Sequence, residues 1–180
     1  ATNSLTGESD STAATSGTTA GSGTLADTLD VTVRDGATFE GRNDDTVGSY
    51  TIDVGGTLDM YADLTTGNGV TLNGTLNNLN GQPPVTDAGN SNPAAAPIVT
   101  SNTLSMGTGL TGGTTGVLNV GDLQLVLDQT GDTTYSGAIT GNSNFVKTGA
   151  GTLSLDGNEA AVDVMGDFRV SEGGITAAAT

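Results

Sequence analysis

Four aspartates are the residues of this chain best suited to chemistry: Asp44 and Asp45 in Asn43-Asp44-Asp45, and Asp128 and Asp132 in Asp128-x-x-Gly131-Asp132. Clustered oxygen donors in loops suit a hard cation such as calcium, which takes carboxylate, amide and carbonyl oxygens. Neither run has EF-hand spacing, and the calcium-binding nonapeptide GGxGxDxUx is missing. The plainer reading is that they are solvated turn acids, because Asp and Asn bond their own backbone in turns. Two carboxylates could also cleave a glycosidic bond. The residues that would hold a sugar are scarce: three Tyr (Tyr50, Tyr61, Tyr135), three Phe, no Trp and four basic residues. There is no His, which removes the usual general base and the commonest metal ligand, and no Cys, which removes thiol nucleophiles and disulfides. The expectation is a chain that is not an enzyme, with calcium at Asp44, Asp45, Asp128 and Asp132 as its one candidate cofactor.

Charge narrows the partners. Twenty acids against four bases (Arg34, Arg42, Lys147, Arg169) give a net charge of −16 at pH 7. Phosphate binding needs a basic surface, so nucleic acid is not expected as a partner. No apolar run approaches the ~20 residues of a membrane helix, so no membrane span is expected. Copies of such an acidic chain repel one another until salt or divalent cations screen them.

The elements that must position these acids are short strands turned at glycine. Apolar residues make up 34% of the chain and aromatics 3%, which suits a narrow aliphatic core. Leu29-x-Val31-x-Val33 alternates as a half-buried strand does, and Tyr50-x-Ile52-x-Val54 and Val70-x-Leu72 repeat it about 20 residues on. Each is followed by a glycine and a second apolar position: Gly36 with Phe39, Gly56 with Leu58, Gly74 with Leu76. A repeat of this length is the mark of a solenoid, in which successive turns stack and share a core. The pattern resumes with Leu104, Met106, Val117-Leu118, Leu125-Val126-Leu127, Val162-x-Val164, Phe168-x-Val170 and Ile175. The expected fold is all-β, a parallel β-helix or β-solenoid of about six turns, three on each side of an insertion; a β-sandwich of short strands is the alternative.

Two segments stand apart. Residues 1–24 are Ser, Thr, Gly and Ala with scattered acids, a flexible tail or a strand that adds to a neighbouring copy. Residues 81–102 hold all four prolines (Pro83, Pro84, Pro93, Pro97) and read as a long loop thrown out of the stack, leaving residues 25–180 as the solenoid. Asn73, Asn77, Asn78 and Asn80 suit a row of side-chain amides that bond from turn to turn. Ala1-Thr2-Asn3 suits a terminus left by cleavage after a small residue.

The run Ser136-Gly137-Ala138-Ile139-Thr140-Gly141, followed by Phe145-Val146-Lys147-Thr148-Gly149-Ala150-Gly151-Thr152-Leu153-Ser154-Leu155-Asp156-Gly157-Asn158, resembles the passenger-associated repeat of bacterial autotransporters. Gly166 to Ile175 is similar to the next half-turn of such repeats. The resemblance implies a right-handed parallel β-helix exported to the bacterial cell surface. It departs from that family in one respect, since no membrane barrel is recognisable after the repeat. In that motif Lys147 reads as a strand-edge lysine, solvated or ion-paired.

Two functions follow as expectations. The first is a secreted structural subunit of a bacterial cell-surface fibre or sheath, a homo-polymer built through strand edges and the N-terminal tail. The second is a passenger fragment of an autotransporter adhesin, presenting loops to a host or glycan ligand.

Overall fold

The computed structural model describes residues 27–41, 44–79, 101–121, 123–156 and 162–177, with the side chain of Asp45 left aside. The 1–24 tail, all but the last two residues of the 81–102 insertion, and Asn80 lie outside the described residues. Every regular element described is a strand, and every pairing is parallel.

The chain winds as a three-sided β-solenoid, three short strands to a coil. The first coil is β1 (Asp30–Val33), β2 (Thr38–Gly41) and β3 (Asp45–Val47), and the second is β4 (Ser49–Ile52), β5 (Thr57–Met60) and β6 (Leu64–Thr66). The third is β7 (Gly69–Leu72), β8 (Thr75–Asn78) and β9 (Ser101–Met106). The fourth is β10 (Gly109–Thr111), β11 (Val117–Asn119) and β12 (Gln124–Gln129). The fifth is β13 (Thr133–Tyr135), β14 (Ala138–Gly141) and β15 (Phe145–Thr148). The sixth is β16 (Thr152–Leu155), β17 (Val162–Val164) and β18 (Phe168–Val170), and β19 (Gly174–Ala177) opens a seventh.

Three faces result. The second stacks β2-β5-β8-β11-β14-β17 and the third β3-β6-β9-β12-β15-β18, each without a break. The first runs β1-β4-β7-β10, then β13-β16-β19, the two halves joined by one bridge between Gly112 and Tyr135. At about 4.8 Å per coil, six coils make a rod roughly 29 Å long.

The period-2 pattern decides which side chains fill the core. In β4, β5, β7 and β8 every second residue is buried. Register then builds apolar columns down each face: Val31–Tyr50–Val70–Leu110 on the first, and Phe39–Leu58–Leu76–Leu118–Ile139 on the second. A side chain capped above and below by its equivalents loses almost all contact with water, so a core one side chain deep suffices. Burying one such Val or Leu contributes roughly 1.5–3 kcal/mol.

The insertion interrupts the third coil between its second and third faces, not the boundary between two coils. Tyr50, Val70 and Leu110 stand in register on successive coils, yet the sequence step from Val70 to Leu110 is twice that from Tyr50 to Val70. β9 begins at Ser101, so Ser101 and Asn102 belong to the coil.

Candidate functional site

The four aspartates occupy two separate parts of the rod. Asp44 and Asp45 lie in the first coil, and Asp128 and Asp132 lie on β12 and just beyond it in the fourth. Three coils separate the pairs, about 14 Å along the axis. Among the described residues no group of three or more His, Cys, Asp or Glu side chains converges as metal ligands do.

Two of these acids make a definite structural contact. Asp44 Oδ1 accepts the backbone N–H of Asp63 on the next coil at 3.2 Å, and Asp132 Oδ1 accepts that of Thr152 at 2.7 Å. The same staple recurs elsewhere. Asp63 Oδ1 takes Thr103 N–H at 2.6 Å, Asn73 Oδ1 takes Gly113 N–H at 2.8 Å, and Asn144 Oδ1 takes Asp167 N–H at 2.8 Å. Corners leave backbone donors outside the strand ladders, and an Asx oxygen from the coil before satisfies them. Asp128 stands between Ser105 and Thr148 on the outer side of its face. Asp45 opens β3 in register with Leu64.

The asparagine row divides by face. Asn77 Nδ2 donates to Asp59 Oδ1 at 2.8 Å, and Asn119 Nδ2 donates to Asn77 Oδ1 at 3.3 Å, an outward ladder across three coils. Asn78, one residue on, points inward and is fully buried. Its amide donates to the carbonyls of Val120 at 2.8 Å and Leu123 at 2.9 Å, and its Oδ1 accepts from Asn102 Nδ2 at 2.7 Å. Asn78 and Asn102 thus clasp the end of β8 to the start of β9, the two strands between which the insertion departs.

Lys147 corrects the reading of a solvated strand-edge lysine. It is 0% exposed and stacks between Leu127 and Val170 on the third face. Its Nζ donates to the carbonyls of Thr148 and Gly149, the latter at 3.0 Å. Burial pulls its pKa below the ordinary lysine value, and the charges of Asp128 and Glu172 oppose that pull. The signal was in the sequence: Phe145-x-Lys147 places the lysine on the same face of its strand as a core phenylalanine.

The last coil is the one place where the described columns end uncovered. Val162 is 40% exposed, Phe168 39% and Val170 43%, although their equivalents one coil back (Ile139, Phe145 and Lys147) are all 0% exposed. Phe168 stacks on Phe145, ring centroids 5.0 Å apart and planes 19° apart. By contrast Val31, Val33 and Val47 of the first coil are at most 8% exposed. Sequence pattern made Val162, Phe168 and Val170 look like core; it does not tell that no further described coil covers them. β17 and β18 also carry no described strand on their outer edge.

No protein-family model, curated protein or solved structure matches this chain. Among the described residues no helix is long and apolar enough to cross a membrane.

Proposed function

We propose that this chain is a secreted structural subunit of a bacterial cell-surface fibre or sheath, and that copies join through the strand edges at the solenoid ends and the N-terminal tail. The observation that carries the reading is the sixth coil, where β17 and β18 present the partly exposed Val162, Phe168 and Val170 at a strand edge on which no described strand lies. Covering those side chains is worth on the order of 1 kcal/mol each, and the edge adds backbone hydrogen bonds. A contact between unlike ends of one rod does not close on itself, so it extends into a filament. The fold and the stapled corners serve stiffness and need no catalytic group. A net charge of −16 keeps free copies apart at low salt and makes joining depend on screening.

Negative-stain imaging and light scattering of the full chain across a sodium chloride and calcium series test this. Elongated particles that grow with salt are expected, and particles that stay monomeric at every concentration refute it.

A second reading draws on the insertion at the corner of the third coil. A loop that leaves a rigid rod at one corner suits display to a host or glycan ligand, as in an autotransporter adhesin. In that case further coils of a longer passenger would cover the sixth coil, and glycan-array binding lost on removal of residues 81–100 would favour it.

A further inference from the structure

The third coil turns from the second face to the third unlike any other. Elsewhere that corner takes three or four residues, from β2 to β3, β5 to β6, β11 to β12, β14 to β15 and β17 to β18. So short a connection dictates where the next strand begins. Residues 79–100 lie between β8 and β9, and closing a connection that long costs nearly the same with two residues more or fewer. Something other than the connection must set the alignment of β9.

The far end of β9 blocks one direction only. Gly107 and Thr108 alone lead on to β10, so β9 cannot move forward by two places and still leave a corner. It could move back by two, with two residues drawn from the long connection into that corner. Thr103 would then stand where Ser105 stands, against Thr65. Most of what holds β9 does not oppose this step. A shift of two keeps each residue on its own side of the strand. The ladders to β6 and β12 are backbone bonds that any residue makes. The staple from Asp63 Oδ1 to Thr103 N–H would pass to Ser101 N–H. Leu104 would replace Met106 between Thr66 and Gln129, one apolar side chain for another.

Asn102 is the residue that cannot follow. The step would carry it between Leu64 and Leu127 and away from Asn78. The inward columns beside this corner are otherwise free of polar side chains over their paired length. Asn78 follows Gly41 and Met60, and Asn102 precedes Leu125, Phe145 and Phe168. Both columns turn polar at the coil that carries the insertion. Stability alone does not call for an amide there: Asn102 Oδ1 is buried with no hydrogen-bond partner among the described residues, an unfavourable arrangement that a leucine would avoid.

We propose that the Asn78–Asn102 pair is the register lock of the solenoid. It holds β9 on β6 at the one alignment in which the two buried amides meet. The Asn78 amide carries that alignment into the fourth coil through the Val120 and Leu123 carbonyls. With the alignment fixed by side chains, the insertion is free to change in length and sequence. The inference stands apart from self-assembly and applies equally to a subunit and to a passenger.

The chain has no cysteine, so introduced pairs report the alignment. Thr65→Cys with Ser105→Cys joins residues that face one another on the outer side of β6 and β9. Thr65→Cys with Thr103→Cys reports the shifted alignment. In the native one that pair is diagonal, roughly 8 Å apart, beyond the ~7 Å Cα separation that a disulfide spans. Each pair is placed in the parent chain, in Asn78→Leu/Asn102→Leu and in Asn102→Leu, and disulfide yield after mild oxidation is read by mass spectrometry. In the parent only the native pair should close. Both leucine variants should keep a β spectrum by circular dichroism, with a shifted-pair yield at least tenfold above the parent's. Shifted-pair yields that stay at the parent's level in the folded variants overturn the lock, as does a shifted pair that closes in the parent as readily as the native one. Loss of the β spectrum in both variants overturns it too, because the amides would then hold the fold as a whole and not choose an alignment.

Discussion

Gly112 lies in register with Tyr135 on the following coil, and this single bridge joins the two halves of the first face. A side chain at Gly112 would overlap the Leu72 carbonyl oxygen and come within 3.1 Å of Tyr135 Cε2. The fully buried tyrosine ring fills the space that Gly112, Gly116 and Gly137 leave vacant. Gly112→Ala is therefore expected to destabilise the fold by about 1–3 kcal/mol, the usual range for overpacking. Tyr135→Ala should cost about 3–5 kcal/mol through the cavity it leaves. Tyr135→Phe should cost about 1 kcal/mol or less, because the hydroxyl's bond to the Ala138 carbonyl is 3.3 Å long. Urea denaturation of the three variants checks the order.

Lys147 links stability to alkaline pH. Its folded pKa is below the ordinary lysine value because of burial. Between the folded and unfolded values the unfolded chain binds more protons, so stability is expected to rise with pH across that window and to level off above about 10.4, the unfolded lysine value. Lys147→Met should remove that rise and leave stability at pH 7 unchanged or higher by about 1 kcal/mol, since a buried charge is exchanged for an apolar chain of similar length. Melting of both proteins from pH 7 to 11 gives the comparison; an unaltered alkaline rise in the variant would contradict the assignment.

The corner staples make different demands on Asp44 and Asp132 than a catalytic or metal site would. Replacing Asp44, Asp45, Asp128 and Asp132 together with Asn preserves an Oδ1 acceptor at each position. The variant is expected to keep its circular dichroism and to melt within a few degrees of the parent. Asp132→Ala removes the acceptor for Thr152 N–H and should cost about 1 kcal/mol. A calcium-dependent rise in melting temperature that is lost in the Asn variant would assign a metal to these acids.

Removing residues 81–100 halves the sequence step from Val70 to Leu110 and makes it equal to the step from Tyr50 to Val70. The Asn78–Asn102 clasp stays in place. The shortened chain is expected to fold with an unchanged β spectrum and a melting temperature within a few degrees of the parent. Loss of the folded state would place the insertion in the core's own support.

Phe168→Asp puts a charge on the uncovered coil. Phe168 is already 39% exposed, so the effect on folding should be small beside that of Phe145→Asp, whose site is fully buried. Polymer growth in the salt series should fall at least tenfold. Unchanged growth would show that this coil takes no part in assembly.

The sequence by itself determined the fold class and the repeat. A period of two in hydrophobicity, with glycine turns recurring at a regular interval, leaves stacked short strands as the way to bury so few apolar residues. The column of Phe39, Leu58 and Leu76 follows from that count, and stacking adds Leu118 to it across the insertion. The cluster of Asn73, Asn77 and Asn78 also pointed to side-chain amides linking successive coils, whereas the bonds of Asp44 and Asp132 to the next coil were not read from the sequence, where such acids bond their own turns. Only the tertiary structure decided which side chains of the pattern are covered. Val162, Phe168 and Val170 carry the same pattern as Ile139 and Phe145, but exposure depends on what stacks on them, and among the described residues no strand lies beyond β17 and β18. The same holds for Lys147. Its strand alternation places it inward, but the cost of a buried ammonium is offset by carbonyls at a turn whose position depends on stacking. The acids of the first and fourth coils read alike in sequence; stacking sets them three coils apart and engages Asp44 and Asp132 with the coil that follows.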